Sequence, residues 1–556
     1  MTDFPEQTQT DEELQYIVKY IKENSPESKK EFNQLKNEAC KELQVDPPAN
    51  RFLFREYRDL LDEGEIEQDN RLEAYMTKAE VRTISGIAII TSLCKPYPCP
   101  AECVFCPTEN KMPKSYHADE PAAARALRLE FSPYIQMQNR IKVLEDNGHN
   151  TDKIEFIIKG GTWHSYPIKY QYWFIMESFK ACNNLKRDNP KEKTQLEDWD
   201  NLEALKQELQ EEQNYNETAD HRIIGLTVET RPDTIAPKTI KQLREQGCTR
   251  VELGLQATDN EILRHVKRGH TVEDFRESIY LLRQAGFKVD FHFMPDLPGT
   301  TPQKDVEMYR KIFSDPGLKP DMIKIYPCVV MESAELYEWY KSGRYSSYGT
   351  EALFDALLQM KKDTPKYCRI TRLIRDFPSD EIEGGNEINN LRQSLQRELK
   401  EQGETCDCIR CREIGRQRDK LDDDVEPEIF VEQLDTRGGD EYFISIEDPD
   451  RIAIFGFLRL RLPKKDEEHI TEVLPHLKGC AFIRELHVYG TMAKIGEKDK
   501  AKAQHKGFGT ALMNKAEEII EKNGFEKAAV ISGVGVRKYY ENLGYKQEGT
   551  YMTKEF

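Results

Sequence analysis

The sequence predicts an α/β protein of several domains, in which a parallel β/α barrel, full or partial, precedes a separate strand-rich α+β domain. Short β-rich runs alternate with helical stretches from Val81 onward, and a second group of strand-rich runs begins after Glu428. The chain has 556 residues, whereas single hydrophobic cores stop growing at roughly 250–300 residues. These observations favour several domains over one large core.

The first 80 residues are predicted to form a small helical region. Leu14, Ile17, Val18 and Ile21 are spaced to lie on one face of a helix. The opening stretch MTDFPEQTQTDEELQ is acidic and polar and does not resemble a secretory signal. The chain also contains no run of about twenty apolar residues, the length that a membrane span needs. We therefore expect a cytoplasmic protein that does not contact a membrane.

Residues 81–400 are predicted to form the barrel. Strands alternate with helices such as TIKQLREQG and VEDFRESIYLLRQAGF, which indicates parallel strands joined by right-handed crossovers. The acidic segment 186–220 interrupts this alternation and is expected to be a surface insertion. Barrels of this kind place their chemistry at the carboxyl ends of the strands. The predicted strands are VRTISGIAII, IEFIIKGG, RIIGLTVET, RVELGLQA, KVDFHFMPDLPG and MIKIYP.

The net charge of the chain is -18, which by itself argues against a nucleic-acid partner. Basic residues nevertheless recur in two stretches, and an acidic protein can carry a basic face for nucleic acid. A solvated surface with chance clustering explains the charge pattern equally well. The basic residues are Lys366, Arg369, Arg372, Arg375, Arg410, Arg412, Arg416, Arg418 and Lys420.

A loop after the first predicted barrel strand carries three cysteines, Cys99, Cys103 and Cys106, at the spacing C-x3-C-x2-C. Three thiolates can hold three irons of a [4Fe–4S] cluster, which usually takes four cysteine ligands, so that one iron stays open. A zinc knuckle with Cys94 as the fourth ligand is the alternative. Disulfides are the weakest interpretation for a chain without a secretory signal.

This spacing, with the aromatic Phe105 before the last cysteine, resembles the signature of radical S-adenosylmethionine (radical SAM) enzymes. The resemblance implies that the open iron binds the amine and carboxylate of SAM, and that reduction yields a 5′-deoxyadenosyl radical. It also implies SAM contacts from Gly160 and Gly161, which follow the second strand, and from Glu229 and Gln256 at strand ends. A buried Glu or Gln at a strand end is often only structural.

The stretch from Gln504 to Thr510, QHKGFGT, precedes a predicted helix in the last domain, residues 428–556. Free N–H groups at a helix N-terminus favour anions. The pattern resembles the pyrophosphate loop of the GNAT-family N-acetyltransferases, which bind acetyl-CoA. Tyr539 and Tyr540 follow the next strand, where that fold often has a tyrosine near the thioester; packing is their alternative role.

The joining of these two domains resembles the elongator protein 3 family, with matching stretches such as GLTVETRPD, MPDLPG and ISGVGVRKYYENLGY. The resemblance implies an enzyme that uses the deoxyadenosyl radical and acetyl-CoA to install a carboxymethyl group on C5 of the wobble uridine of tRNA. It also implies catalytic roles for Lys153 and Tyr540. The acetyl-CoA contacts that it implies are Lys153, Glu485, Leu486, His487, Val488, Phe508, Gly509, Thr510 and Tyr540.

A polar linker, residues 401–427, contains Cys406, Cys408 and Cys411. The stretch resembles the linker zinc site of prokaryotic relatives. Three thiolates are one short of a closed tetrahedral site. A histidine, a cysteine such as Cys368, or water could supply the fourth ligand.

The sequence departs from the family pattern in three places. CPTE follows the cysteine loop where the family usually has CPGG, the loop lacks the eukaryotic insertion, and residues 1–75 are not obviously basic. The compact loop favours a stand-alone enzyme over a subunit that assembles with Elongator-type partners. Two other functions stay open: a protein lysine acetyltransferase with a structural cluster, and a non-catalytic tRNA-binding scaffold.

Overall fold

The computed structural model describes residues 8–77, 85–386, 388, 390–422, 425–464, 470–489 and 507–556. In these residues we find no helix whose length and apolar character would let it span a bilayer. The chain forms two compact units. The described part of the first comprises residues up to Ile90 together with Gln138–Ile154, and the second comprises Thr91–Met137, Glu155–Tyr489 and Gly507–Phe556.

Helices of the N-terminal region pack around one apolar core. Thr10 caps the first helix with a reciprocal hydrogen-bond pair to Glu13, and Ser28 and Asp69 cap two others. The predicted apolar face is confirmed, because Leu14, Ile17, Val18 and Ile21 are all buried in that core. The helices are α1 (Asp11–Glu23), α2 (Lys29–Leu43), α3 (Asn50–Asp62) and α4 (Asn70–Met76).

The predicted partial barrel is present as a seven-stranded sheet in the order β1-β2-β3-β4-β5-β6-β8. Its neighbours from β3 to β8 pair in parallel. The first strand differs from the prediction: it begins at Ala88, and residues 81–84 lie outside the described residues. The strands are β1 (Ala88–Leu93), β2 (Lys153–Lys159), β3 (Arg222–Thr230), β4 (Arg250–Gln256), β5 (Lys288–Phe293), β6 (Met322–Ile325) and β8 (Arg369–Arg372), with a separate pair β7 (Val329–Val330) and β9 (Gly384–Gly385).

Helices connect these strands, as the alternation predicts. The acidic segment contains a helix of its own, α8, whose buried Glu212 accepts a hydrogen bond from Asn183 on α7, so this helix packs against the barrel helices. The helices are α5 (Pro121–Arg128), α6 (Pro133–Asp146), α7 (Ile168–Asn184), α8 (Leu202–Asn216), α9 (Pro237–Glu245), α10 (Asn260–His265), α11 (Val272–Gln284), α12 (Pro302–Ser314), α13 (Leu336–Lys341), α14 (Thr350–Lys362), α15 (Leu391–Glu401), α16 (Ile409–Arg412) and α17 (Ile414–Gln417).

The C-terminal strands form a second, mixed sheet in the order β10-β11-β12-β13-β14-β16-β15. Only β13 and β14 pair in parallel in the described part of this sheet. The predicted fold class, a partial barrel followed by an α+β sheet, is confirmed. The elements are β10 (Glu428–Thr436), β11 (Gly439–Glu447), β12 (Ile454–Pro463), β13 (Cys480–Val488), α18 (Phe508–Lys522), β14 (Lys527–Val530), α19 (Arg537–Glu541), β15 (Lys546–Glu548) and β16 (Tyr551–Glu555).

Within the second unit, the barrel and the C-terminal sheet meet through buried arginines and through glycine. Arg484 on β13 pairs with Asp321, which precedes β6, at 2.5 Å. A Cβ added to Gly533 would lie 2.0 Å from the carbonyl oxygen of Ile224 on β3. A side chain of any size at Gly533 would therefore hold the two parts of this unit apart.

Candidate active site

The cysteine loop follows β1 and is fixed by backbone hydrogen bonds to distant segments. Val104 N–H donates to the carbonyl of Val266 at 3.2 Å, and Leu336 N–H donates to the carbonyl of Val104 at 2.8 Å. Cys103 is buried, Cys99 and Cys106 are half-buried, and all three thiols are free of disulfides. The loop is therefore held in one shape by the barrel around it.

Polar side chains approach two of these thiols. Thr162 Oγ1 lies 3.5 Å from Cys99 Sγ, and Arg268 Nη1 lies 3.5 Å from Cys103 Sγ. Burial and the neighbouring Cys103 raise the pKa of the Cys106 thiol to about 12. Three thiolates would repel one another in this space, and a cationic iron cluster removes that repulsion. The donor set fits the cluster that the spacing predicts.

The two glycines after β2 are required by close packing. Gly161 has φ +85°, in the left-handed region. A Cβ on Gly160 would lie 2.8 Å from Cβ of Cys94, and one on Gly161 would lie 3.3 Å from the carbonyl of Lys114. Cys94 itself is fully buried. Glycine thus lets the turn that follows β2 approach the segment that bears the cysteines.

A cluster of charged side chains, the interior charge cluster, fills the inner face of the sheet beside this loop. It consists of Lys159, Glu229, Glu252, His292 and Lys324, one from each of five adjacent strands. Glu252 accepts from both lysines and lies 3.3 Å from His292 Nε2, while Lys159 Nζ lies 3.1 Å from Glu229 Oε2. Charges of both signs are thereby paired in a buried space.

Electrostatics in the interior charge cluster keep its carboxylates ionised. Burial would raise the pKa of Glu229, but Lys159 and His292 outweigh burial and lower it to about 2. Burial lowers the pKa of Lys324 to about 8, although the Glu252 carboxylate favours its charged form. Glu229 also accepts a hydrogen bond from the Tyr116 hydroxyl at 2.9 Å. The predicted SAM residue Glu229 therefore lies in this network, positioned and negatively charged.

Sequence reasoning found only Glu229 of this cluster. Lys159 ends β2 and the other three lie inside strands, and a charged residue at alternate strand positions is typical of a face turned to solvent. The signal that could have located them is register: Glu229 pairs with Glu252 across neighbouring strands, and His292 pairs with Lys324. Charged residues at paired positions of neighbouring parallel strands, two acidic on β3 and β4 and two basic on β5 and β6, indicate a polar barrel interior.

Gln256 ends β4 with φ 71°, and its buried Oε1 has no hydrogen-bond partner among the described residues. Asp290 on β5 is fully buried, and both of its carboxylate oxygens are likewise unpaired within the described part of the chain. Burial raises the pKa of Asp290 to about 7. An unpaired buried acceptor is costly unless a ligand donates to it. Both positions are therefore suited to ligand contact.

A second set of predicted residues lies on β13, in the C-terminal sheet. Glu485 accepts a hydrogen bond from Arg459 Nε at 2.9 Å and lies 3.4 Å from Lys288 Nζ. Burial opposes ionisation, but Lys288 and Arg459 lower the pKa of Glu485 to about 2. His487 stacks on Phe457, and its buried Nε2 has no partner among the described residues. This end of the sheet thus offers one fixed carboxylate and one neutral imidazole nitrogen.

The first turn of α18 contacts the tyrosine pair. The Tyr539 hydroxyl lies 2.5 Å from where a Cβ on Gly509 would be, so glycine is needed there. Tyr540 is buried, and its pKa is raised by burial, by Tyr539 and by Glu485. Phe508 and Thr510 begin the same helix. The predicted loop residues Gln504–Lys506 lie outside the described residues.

Charged side chains on the barrel strands connect the interior charge cluster with the residues on β13. Arg250 on β4 pairs with Glu155 on β2 at 2.9 Å, and Lys288 on β5 approaches Glu485. The same three strands also carry residues of the interior charge cluster: Lys159 on β2, Glu252 on β4 and His292 on β5. Asp290 lies on β5 between Lys288 and His292. Charged side chains therefore extend from beside the cysteine loop to β13. Lys153, which begins β2, is exposed and belongs to the first unit.

The linker cysteines come together. The Sγ atoms of Cys406, Cys408 and Cys411 all lie within 4.8 Å of one another. Ile409 N–H donates to the carbonyl of Cys368 at 2.9 Å, so this buried cysteine lies beside the group. Three converging thiols suit a soft metal such as zinc. The stretch is also more firmly packed than a linker, because Cys408 and Ile409 are fully buried.

Several residues of the basic stretches form ion pairs within the protein, among them three arginines. Arg369 pairs with Glu413, Arg375 donates to Glu120 at 3.0 Å, and Arg412 donates to Glu447 at 2.6 Å. The Arg412 pair joins α16 to β11 of the C-terminal sheet, whereas the Arg375 pair joins the segment that follows β8 to the start of α5. These three arginines are therefore not free to form the basic face that the sequence left open.

A parallel partial barrel with a three-cysteine loop after its first strand defines a protein of the radical SAM class. The Radical SAM superfamily profile matches residues 97–312, and that of the Radical_SAM C-terminal domain matches residues 320–401. Over 98% of its length and 98% of the relative's, the chain is 38% identical to the tRNA uridine(34) acetyltransferase of Methanocaldococcus infernus.

Two further relatives agree. Elongator complex protein 3 of Homo sapiens is 37% identical, with 85% of each chain covered. A solved structure of the archaeal Methanocaldococcus infernus Elp3 with an N-terminal deletion has a TM-score of 0.70 at 37% identity, covering 85% of this chain and 100% of that one. The chain belongs to the elongator protein 3 family.

Proposed function

We propose that this protein is a tRNA-modifying enzyme that installs a carboxymethyl group on C5 of the wobble uridine, using SAM and acetyl-CoA. The observation that carries the proposal is the charged interior, which extends within one compact unit from the cysteine loop to Glu485. The names of the relatives, which specify tRNA uridine(34), support the substrate. We also propose that it acts in the cytoplasm and without Elongator-type subunits.

We assign separate sets of residues to the cluster, to SAM and to acetyl-CoA. When bound, the cluster and SAM supply radical chemistry and acetyl-CoA supplies the carbon unit. We assign the cluster to Cys99, Cys103 and Cys106, and SAM to Gly160, Gly161, Glu229 and Gln256. We assign acetyl-CoA to Lys153, Glu485, Leu486, His487, Val488, Phe508, Gly509, Thr510 and Tyr540.

The protein's own contribution is positioning. Glu229 accepts from Lys159 and Tyr116, so its carboxylate is held at one place on the barrel interior. Glu485 is held between Lys288 and Arg459, and its lowered pKa keeps it ionised near neutral pH. The neutral His487, whose pKa burial lowers, can hold or transfer a proton at Nε2. Lys153 and Tyr540 are the residues to which we assign direct catalytic roles.

We further propose a zinc ion at Cys406, Cys408 and Cys411, with Cys368 as the candidate fourth ligand. Its role would be structural, because a closed thiolate site leaves no position for substrate. Elemental analysis of the purified protein tests this proposal. About one zinc per chain supports it, and a chain without zinc overturns it.

The function is tested with oxygen-protected, reconstituted full-length protein, dithionite, SAM, acetyl-CoA and tRNA. We expect 5′-deoxyadenosine and carboxymethylated uridine from the native protein, and neither from Cys103→Ser. Cys480→Ser, at a buried cysteine of the C-terminal sheet, is the matched control and should retain both products. Tyr540→Ala should weaken acetyl-CoA binding in calorimetry.

Other outcomes select the alternatives. Acetylation of a lysine peptide without SAM cleavage would favour the protein lysine acetyltransferase. Unchanged tRNA binding and cellular function in Cys103→Ser would favour the non-catalytic scaffold. Absence of tRNA-dependent acetyl-CoA turnover would refute the proposal.

A further inference from the structure

Arg268, in the turn between α10 and α11, contacts the cysteine loop from the barrel side. Its side chain is buried, with 8% exposed. Nε and Nη2 both donate to the carbonyl of Gly254 on β4, at 3.3 and 2.8 Å, and Nη1 lies 3.5 Å from Cys103 Sγ. The guanidinium therefore bridges the end of β4 and one thiol of the loop.

A second arginine fixes the turn that carries Arg268. Arg231 Nη1 donates to the carbonyl of Arg268 at 2.9 Å, and Arg231 Nη2 donates to the carbonyl of Gly269 at 3.3 Å. Asp233 binds Arg231 through two hydrogen bonds, at 2.9 and 3.1 Å. The position of the guanidinium is thus set by its own bonds and by the bonds to its backbone.

Gly254 leaves the space that the guanidinium occupies. A Cβ at this position would lie 2.4 Å from Arg268 Nη2. The backbone of Gly254 has no positive φ, so an alanine would be tolerated by the chain and would displace only the neighbouring side chains. Glycine is therefore explained here by Arg268.

Arg268 donates only to a carbonyl and a thiol, and no carboxylate pairs with it in the part of the chain that the structure describes. A buried guanidinium without an anion is costly. The thiolates of Cys99, Cys103 and Cys106 would supply that negative charge once they hold a cluster. Arg268 is therefore suited to interact with a cluster held by these three cysteines.

We infer that Arg268 is a positioning residue that raises the reduction potential of the cluster through its hydrogen bond to Cys103. This inference rests on the proposed assignment of the cluster to the cysteine loop. Reduction transfers one electron from an external reductant to the cluster, forms or breaks no bond, and makes the site more negative. A charge-assisted donor at a ligand sulfur favours that more negative state.

Thr162 provides an internal comparison. Its hydroxyl lies at the same distance, 3.5 Å, from a different ligand, Cys99. A neutral donor stabilises added negative charge less than a cation does, by roughly half for comparable bonds. Loss of the Thr162 hydroxyl should therefore shift the potential in the same direction as loss of Arg268, but by less.

The test is a redox titration of the reconstituted full-length protein without SAM, monitored by the paramagnetic resonance of the reduced cluster. We expect Arg268→Met to make reduction at least tenfold less favourable, which for one electron is about 59 mV more negative. Gly254→Ala, which retains the arginine but displaces it, should shift the potential in the same direction. Thr162→Val should give the smaller shift. Arg264→Met, at an exposed arginine of α10, is the charge-matched control and should leave the potential unchanged.

The outcomes separate this inference from the proposed function. A native protein without a cube-type spectrum overturns both. A native cluster whose potential is unchanged or more positive in Arg268→Met and Gly254→Ala overturns only the role of Arg268. An equal shift of the potential in Arg264→Met also overturns the role of Arg268, because the shift would then follow from the loss of any positive charge. If Arg268→Met and Gly254→Ala retain the circular dichroism of the native protein but bind no cluster, Arg268 is needed for cluster assembly instead, and the tuning role is wrong.

Discussion

Replacing Asp321 with alanine should remove the anion at the centre of a buried arginine lattice. Arg484 approaches both carboxylate oxygens of Asp321, at 3.0 and 2.5 Å, and Arg459 approaches at 3.6 Å. These side chains join the barrel to the C-terminal sheet and are at most 5% exposed. Without Asp321, two buried cations keep only their other partners.

The size of the effect follows from this geometry. Two unit charges about 4 Å apart attract by about 4 kcal/mol at an effective dielectric constant of about 20. Removing one partner of a buried ion pair costs about 3–5 kcal/mol in measured cases. Asp321 also accepts a hydrogen bond from the backbone of Val289 at 2.8 Å, which the variant loses. We expect Asp321→Ala to lower the free energy of unfolding by about 3–5 kcal/mol.

Urea unfolding followed by circular dichroism measures this difference from the shift in midpoint. Glu277→Ala is the control, because Glu277 pairs with Arg437 on the surface, both about half exposed, and such a pair contributes about 0–1 kcal/mol. Equal midpoints for Asp321→Ala and the native protein would refute the reasoning.

The effect should also depend on pH. Burial raises the pKa of Asp321, but Arg484 and Arg459 outweigh burial and hold it below its ordinary value. An acid with a lowered folded-state pKa contributes stability above its unfolded value of about 3.9. That contribution is lost as the pH falls toward the folded-state pKa. The gap between native protein and Asp321→Ala should be constant from pH 5 to 8 and should narrow below about pH 4.

Three further variants are informative. Gly533→Ala would place a Cβ 2.0 Å from the Ile224 carbonyl, so it should destabilise the protein by more than the typical 1–3 kcal/mol of overpacking; Gly225→Ala, whose nearest contact is an ordinary 3.7 Å, should change the midpoint little. Asp290 has its pKa raised to about 7, and such a carboxyl loses stability as pH rises from about 3.9 to 7. The melting temperature of Asp290→Asn should therefore rise relative to that of the native protein as the pH increases from 5 to 7.5. A difference in melting temperature that does not change with pH would contradict this. Cys408→Ser should remove zinc measured by elemental analysis while iron at the other loop stays unchanged, and retained zinc would exclude Cys408 as a ligand.

Local features were predictable from the sequence because their signal lies within a few residues. The strand RIIGLTVET matches β3 residue for residue, and the apolar spacing of α1 correctly identifies its buried face. The loop with Cys99, Cys103 and Cys106 was singled out by its spacing, since a metal's ligands often lie in one short stretch. The linker cysteines were singled out by family resemblance, and their Sγ atoms lie within 4.8 Å of one another. The first barrel strand was displaced because the apolar run SGIAII continues into TSL, and composition does not mark where pairing begins.

Long-range partners were not predictable in this way. Arg484 on β13 lies in the stretch AFIRELHV, where a charged residue is typical of a solvent-facing strand position, yet it is 1% exposed against Asp321. Glu252 and Lys324 were missed for the same reason: Lys324 is paired with Glu252, and Glu252 is paired with Lys159 and Lys324. A charged side chain can be buried only where a group of opposite charge lies next to it in the fold, and that depends on which strands become neighbours.

By itself, therefore, the sequence determined the kinds of element, their order, the cysteine loops and the family. The tertiary structure alone decided that Arg268 reaches Cys103, that Gly533 closes on Ile224, and that charges line the barrel as far as Glu485. The physical reason is range: helix and strand periodicity act over a few residues, whereas these contacts join segments that only the folded chain brings together.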